Sequence, residues 1–451
     1  MNRPTPLSGF PEWLPAQRIV EQQVLDSIRR TFELHGFASI ETRAVEPLDQ
    51  LLRKGEIDKE VYLLRRLQAA EGEAEADAGP NTLGLHFDLT VPFARYVLEN
   101  SGHLEFPFRR YQIQKVWRGE RPQEGRYREF TQADVDIVDR DTLAFHYEIE
   151  LPIVIGETLA ALPIPPARIR VNNRKLAEGF YRGVGADDTA AVLRAVDKLD
   201  KIGPDAVREL LVTGAGLSPA AAAACLDLAG ISSSDASFAD QVKALGVQEP
   251  LLDEGLDELV RVVEGVEAVV PGLVVADLRI ARGLDYYTGT VYETVITGHE
   301  ELGSVGGGGR YDALASDGRT TYPGVGISIG VSRILGRLLG SGALAASRSV
   351  PTCVLVAVSD EAARGQANAV ATALRSRGIP SEVSPSAAKF GKQIRHADRR
   401  GIPFVWFIGD GSDDGEGDSV KDIRSGDQLP ASAENWTPPE SDRWPTVAAP
   451  E

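Results

Sequence analysis

The chain has 451 residues, 43% hydrophobic and 25% charged, which is long enough for two or three domains and fits soluble globular folds. Its formal charge of −18 excludes wholesale wrapping of nucleic acid and confines any polyanion contact to a local basic face. Cys225 and Cys353 are the only cysteines and neither has a C-x-x-C partner, so no disulfide framework and no thiolate zinc site is indicated, and a reducing cytoplasm is the simplest home.

Met1 to Pro15 is polar and proline-rich, without the apolar core of a signal peptide, and no apolar run in the chain is long enough to span a bilayer. Ile19, Val20, Val24, Ile28 and Phe32 recur at helical spacing over 17–35, and Gly36 stands where a left-handed C-cap is cheapest. A strand-like run, Phe37 to Thr42, leads to a segment with Pro47, and the Ala- and Glu-rich stretch Ala69–Asn81 reads as a mobile loop. From about 176 to 270 helical texture dominates, including Ser218-Pro219 ahead of five alanines, with Ser placed as N-cap and Pro at the first helical position. Strand-like segments resume at 272–296, and Val325 to Leu339 carries Arg333 in a helical pattern. Small residues link this part, over 339–349, to an alternation of strands and helices that predicts a compact α/β domain. An acidic, glycine-rich loop at 409–418 lies between its last two strands, and the proline-bearing residues 430–451 read as a disordered tail.

Residues 110–118 and 128–138 predict two antiparallel strands joined by the loop Gly119–Tyr127. In the second, Arg128, Phe130, Gln132, Asp134 and Asp136 share one face and Glu129, Thr131, Ala133, Val135 and Ile137 the other. Such alternation is usually a solvent-facing polar side on a half-buried sheet. From Arg109 to Arg128, seven basic residues stand against two acidic ones, a local charge of +5 that suggests a polyanionic ligand. Downstream, Arg282-Gly283-Leu284-Asp285-Tyr286-Tyr287 places a cation, a carboxylate and two phenols at the head of a run rich in strand formers. On these residues alone an exposed strand edge and a ligand pocket are equally good readings. Gly306–Gly309 reads more readily as a tight turn than as a phosphate cradle, because no G-x-x-x-x-G-K pattern follows, and it is assigned only to pocket shaping.

Read together, these segments carry a resemblance. Trp117-Arg118-Gly119-Glu120-Arg121-Pro122 and Gly125-Arg126-Tyr127-Arg128-Glu129-Phe130-Thr131-Gln132 resemble motif 2 of the class II aminoacyl-tRNA synthetases, and the Gly-Arg-Tyr-Arg form is typical of the histidyl-tRNA synthetase family. Arg282 to Glu293 resembles that family's histidine signature, Gly308–Asp312 its following glycine-rich element, Gly324–Arg333 motif 3, and Leu89–Tyr96 its substrate strand. Gly391-Lys392-Gln393 and Val420–Gly426 resemble its anticodon-binding domain. The resemblance implies an α+β fold. A class II antiparallel-sheet catalytic domain would occupy 1–175 and 271–338, interrupted by a helical insertion at 176–270. A linker at 339–349 and an α/β anticodon-binding domain at 350–429 would follow.

It also implies ligation of histidine to tRNA(His), driven by ATP with accompanying Mg2+ and without a protein metal site, in a homodimer. By family analogy Arg118 would hold the α-phosphate, Arg333 the γ-phosphate, and Arg282 the attacking carboxylate and α-phosphate, where a guanidinium stays charged and forks onto two oxygens. Glu120 would contact adenine. Asp88, Thr90 and Gln132 would bind the α-ammonium, Asp136 and Tyr287 would read the imidazole, and Tyr286 would line the same pocket. Arg121 and Gln123 would meet the acceptor end of tRNA, and Lys392 and Arg395 its phosphates. Position 86 is His where the family often has Arg, which reads as a packed or solvent-facing residue. The alternative is a synthetase-like regulatory subunit of ATP phosphoribosyltransferase, which binds histidine without adenylating it; Arg118, Arg282, Arg333 and the C-terminal domain favour the ligase.

Overall fold

The structure, a computed structural model, describes residues 4–52, 61–66, 82–123, 125–280, 286–409 and 417–448. Ala69–Asn81, most of the acidic loop, and Arg282 with its neighbours 281–285 lie outside the described residues. Packing divides the chain into two units, 1–11 with 26–337 and 12–25 with 338–451. Among the described residues no helix is long and apolar enough to cross a membrane.

The first unit is built on one nine-stranded sheet. In chain order its strands are β1 (Ala38–Ser39), β2 (Phe108–Trp117), β3 (Glu129–Val138), β4 (Ala167–Asn173), β5 (Ser232–Ser233), β6 (Val274–Asp277), β7 (Thr290–Ile296), β8 (Gly306–Tyr311) and β9 (Gly324–Gly330). Their spatial order is β1-β2-β3-β9-β8-β7-β4-β6-β5, antiparallel except for β1 with β2 and β4 with β6. Helix α1 (Pro15–Leu34) ends as its spacing predicts, with Gly36 at φ +77°. The 176–270 segment is mostly helical, and Ser218 caps its Pro219–Ala229 helix by accepting from the Ala221 amide. Its short strand β5 pairs with β6, which follows the segment, and so extends the main sheet.

Leu89–Tyr96, expected as a substrate strand, is instead the start of helix α2 (Thr90–Asn100). Val91, Ala94 and Val97 recur every three residues and are buried, and Pro92 sits in the first turn, where a missing amide costs nothing. The four glycines 306–309 are not a turn. They form most of β8, between β7 and β9, and a Cβ on Gly308 would lie 1.9 Å from the Gly326 carbonyl oxygen and 2.6 Å from Ile327 Cα. Side chains are excluded because the neighbouring backbone already occupies their space.

The second unit holds a five-stranded sheet of β10 (Val354–Val356), β11 (Ser381–Val383), β12 (Phe404–Phe407), β13 (Ser419–Asp422) and β14 (Gln428–Pro430), in the order β11-β10-β12-β13-β14. The first three are parallel and the last two antiparallel, so crossover connections account for only half the sheet. The expected disordered tail is ordered through residue 448. Trp436 packs 5.3 Å from the Phe404 ring and 5.7 Å from that of Trp406, and Arg377 donates to the carbonyls of Ala433 and Trp436 at 3.0 and 2.7 Å. A few long-range anchors hold this segment without any periodic apolar pattern.

Candidate active site

A cavity of about 340 Å³ opens over the centre of the main sheet, floored by Gly306, Gly307 and Gly308 of β8. One wall is the polar face of β3. Gln132, Asp134 and Asp136 are only 8%, 3% and 2% exposed, so the alternation read as a solvent side is an interior polar face. The reason lies across the sheet: Gln132, Asp134 and Asp136 register against Gly330, Ser328 and Gly326 of β9. A Cβ on Gly326 would stand 1.9 Å from Asp136 Oδ1, so glycine there makes room for the carboxylate.

Each of these side chains has distinct partners. Asp136 accepts from the Tyr311 hydroxyl at 2.8 Å and pairs with Arg110 at 2.6 Å, both partners being fully buried. The Arg110 guanidinium lies over the Phe93 ring at 4.2 Å. Gln132 Nε2 donates to Ser328 Oγ at 2.6 Å, while Gln132 Oε1 and Asp134 Oδ1 are buried acceptors without a hydrogen bond. Burial pushes the Asp134 carboxyl up to about 7; Arg110 opposes this, Asp136 adds to it, and smaller effects come from a Ser328 hydrogen bond, which lowers it, and Asp88, which raises it.

The sign of that shift makes a prediction. With a folded pKa above the unfolded one, the native state binds more protons between about pH 4 and pH 7, so the carboxyl's contribution to stability is lost as pH rises through that window. Asp134→Asn is therefore expected to be more stable than the parent at pH 8, by on the order of a few kcal/mol, with the gain shrinking toward pH 5. Denaturant unfolding at both pH values checks this; a gain of equal size at both would contradict it.

Asp88 and Thr90 enter at the start of α2, where Asp88 Oδ1 accepts from the Val91 amide at 3.2 Å. Arg118 is fixed beside them: its Nε donates to the Phe87 carbonyl at 3.0 Å, and its guanidinium stands 5.2 Å from the Phe130 ring centroid. The Tyr286 and Tyr287 rings pack at 4.2 Å and both line the cavity; Gly309 leaves room for Tyr287, whose Cδ1 would otherwise lie 2.9 Å from a Cβ. Glu120 lines the cavity from the β2–β3 loop. Arg333, from helix α3 (Val331–Gly340), reaches it while donating to the Leu302 carbonyl. Along β3, Arg118 stands near Phe130, and acceptors without a hydrogen bond follow at Gln132 Oε1 and Asp134 Oδ1.

The cavity therefore gathers Asp88, Thr90, Arg118, Glu120, Gln132, Tyr286, Tyr287 and Arg333. Asp136 lines a small recess behind it, together with Asp134 and Tyr311. Gln123 lies on a neighbouring cleft of about 710 Å³ that shares Arg126 and Arg333 with the cavity, and Arg121 is exposed on the same loop. Lys392 and Arg395 are exposed on α5 (Phe390–Arg399) of the second unit, which follows α4 (Arg364–Ser376).

The +5 window is less of a unit than its charge count suggests. Arg109 pairs with Glu150 at 2.5 Å, Arg110 with Asp136, and Lys115 with Glu129 at 2.5 Å, so three of its cations are taken up within the fold. His86 is buried, its Nε2 donates to Lys115's carbonyl at 2.7 Å, and its ring stacks on Trp117; burial lowers its pKa. Sequence reasoning gave no role to Asp134, Ser328, Tyr311 or Arg110. Asp134 was detectable, since it shares a strand face with Gln132 and Asp136; Ser328 and Tyr311 depend on a register that only the folded sheet supplies.

Comparison with known proteins now bears on this geometry. A family model for histidyl-tRNA synthetase matches residues 9–334, and one for an anticodon binding domain matches residues 352–436. The chain is 62% identical to a histidine--tRNA ligase from Cutibacterium acnes and 61% identical to one from Micrococcus luteus, in each case over 99% of both chains. The crystal structure of histidyl-tRNA synthetase from Nostoc sp. PCC 7120 superposes with a TM-score of 0.84 at 35% identity, over 96% of this chain and 98% of that one. The chain belongs to the histidyl-tRNA synthetase family, and it is an aminoacyl-tRNA ligase. Full-length likeness to proteins named as ligases favours this over the regulatory-subunit alternative.

Proposed function

We propose that the chain joins L-histidine to tRNA(His) in two steps within the cytoplasm. A histidine carboxylate oxygen attacks the α-phosphorus of ATP, the bond to the bridging oxygen breaks, and pyrophosphate leaves. A hydroxyl of the terminal ribose of tRNA then attacks the histidyl carbonyl and AMP departs. The first step brings two anions together and develops charge on phosphorus, which fixed cations stabilise best. Arg118 holds the α-phosphate, Arg333 the γ-phosphate, and Arg282 the carboxylate with the α-phosphate. Glu120 meets the adenine, and Mg2+ arrives on the nucleotide's phosphates.

Asp88, Thr90 and Gln132 take the α-ammonium, Asp136 and Tyr287 read the imidazole, and Tyr286 lines the same pocket. A pocket whose polar groups need the ring's hydrogen bonds penalises apolar competitors, so selectivity needs no editing site. Arg121 and Gln123 face the acceptor end, Lys392 and Arg395 face tRNA phosphates, and the working form is a homodimer. The observation that carries the reading is one cavity lined both by the guanidinium groups of Arg118 and Arg333 and by the buried acceptors Gln132 Oε1 and Asp134 Oδ1, which have no hydrogen-bond partner. Histidine-dependent exchange of labelled pyrophosphate into ATP is the expected result. A folded protein that binds histidine but supports no exchange would sink the ligase reading.

A further inference from the structure

Resting on that reading, we infer that Glu148 and Arg310 are positioning residues of the histidine pocket: their ion pair fixes the backbone from which Tyr286 and Tyr287 reach the substrate. Glu148 lies in the first turn of the helix His146–Ala160 and is fully buried, yet neither it nor Arg310 lines the cavity or the recess behind it. A buried carboxylate is costly unless its oxygens are engaged, and an apolar pair of similar volume would hold a helix on a sheet as well. Here both oxygens serve the chain that leaves the tyrosine pair, one directly and one through Arg310. Oε2 accepts from the Thr290 amide at 3.2 Å and from the Thr290 hydroxyl at 2.5 Å, and Oε1 accepts from Arg310 Nη1 at 2.9 Å.

Arg310 continues the clamp. Its Nε donates to Asp312 Oδ1 at 3.0 Å, Asp312 Oδ2 accepts from the Thr288 hydroxyl, and the Arg310 carbonyl accepts from the Thr288 amide at 2.8 Å. Gly289 lies between the two threonines, where a Cβ would stand 2.9 Å from Arg310 Cδ and 3.3 Å from Glu148 Oε2. The amides and hydroxyls of Thr288 and Thr290 are thus tied to one charged cluster directly after Tyr287. Tyr287 lines both the cavity and the recess, so a shift of this backbone moves its ring across the place of the imidazole. Misplacement by about 1 Å can cost on the order of 100-fold in rate. Arg118 and Arg333 are held elsewhere, by the Phe87 and Leu302 carbonyls, so the cluster acts on histidine and not on ATP.

Histidine-dependent pyrophosphate exchange by the full-length protein tests this with two variants. Glu148→Gln keeps the volume and removes the charge; Thr288→Val keeps the shape and removes the hydroxyl that Asp312 binds. KM for histidine should rise about 10-fold or more in Glu148→Gln and about 3-fold or more in Thr288→Val, while KM for ATP stays within about twofold. A merely structural role would leave both KM values unchanged in the folded variants, or raise them alike, and either result overturns the inference. If Glu148→Gln does not fold, Thr288→Val decides alone, because it leaves the buried ion pair in place. Exchange by the parent protein is the control that separates this failure from failure of the ligase reading.

Discussion

Arg118→Ala is expected to lower histidine-dependent pyrophosphate exchange by about 1,000-fold or more, with soluble yield and unfolding temperature close to the parent's. The side chain is held before any substrate arrives. Its Nε donates to the Phe87 carbonyl and its plane lies near the Phe130 ring, and among the described residues these are the contacts that orient it. One donor therefore fixes the fork, and the terminal nitrogens are available to phosphate oxygens without reorganisation at the moment of reaction. Arg118→Lys should recover little, because an ammonium cannot both hold the carbonyl and present two parallel donors. A loss of less than about tenfold in Arg118→Ala would remove the residue from the phosphate-binding role.

Gly308→Ala should be far more damaging to the fold than its single methyl suggests. The new Cβ meets the Gly326 carbonyl oxygen at 1.9 Å and Ile327 Cα at 2.6 Å, and no rotamer change can relieve a clash with backbone. β8 must then part from β9 in the middle of the sheet, at a cost expected to exceed about 3 kcal/mol. Loss of soluble protein, or an unfolding onset lowered by more than about 5 °C, is the expected readout. Gly365→Ala on α4 is the control: nothing lies within 4 Å of its Cβ position, and alanine is the better helix former. Equal behaviour of the two variants would show that β8 tolerates side chains.

These residues also mark how far the sequence could be read. The β2–β3 pair and its basic loop were legible because strand periodicity and a turn are local properties, and the motif segments carried the family. Burial of the β3 polar face was not legible, because it depends on Ser328 and Gly326 arriving nearly two hundred residues later. The glycines of β8 misled for a related reason: a glycine run signals a turn only when nothing nearby demands bare backbone, and here two neighbouring strands do. Leu89–Tyr96 went to the wrong element because a motif label overrode a helical spacing that its apolar residues plainly show. In the tail, Trp436 and the carbonyls caught by Arg377 fix a segment whose composition alone argues for disorder. Arg282 lies outside the described residues, so its role stays with the family resemblance.

The bare floor of the cavity sets a limit on how this pocket can change. Gly306, Gly307 and Gly308 present only peptide groups to a ligand; a Cβ at Gly306 or Gly308 collides with β9 backbone, and one at Gly307 would crowd the Tyr292 carbonyl oxygen at 3.1 Å. Drift and selection therefore have no side chains to adjust beneath the substrate. A lineage that altered its amino-acid preference would have to do so at the walls, on β3, β9 and the tyrosine pair. The variants worth building when redesigning specificity are concentrated in those few positions.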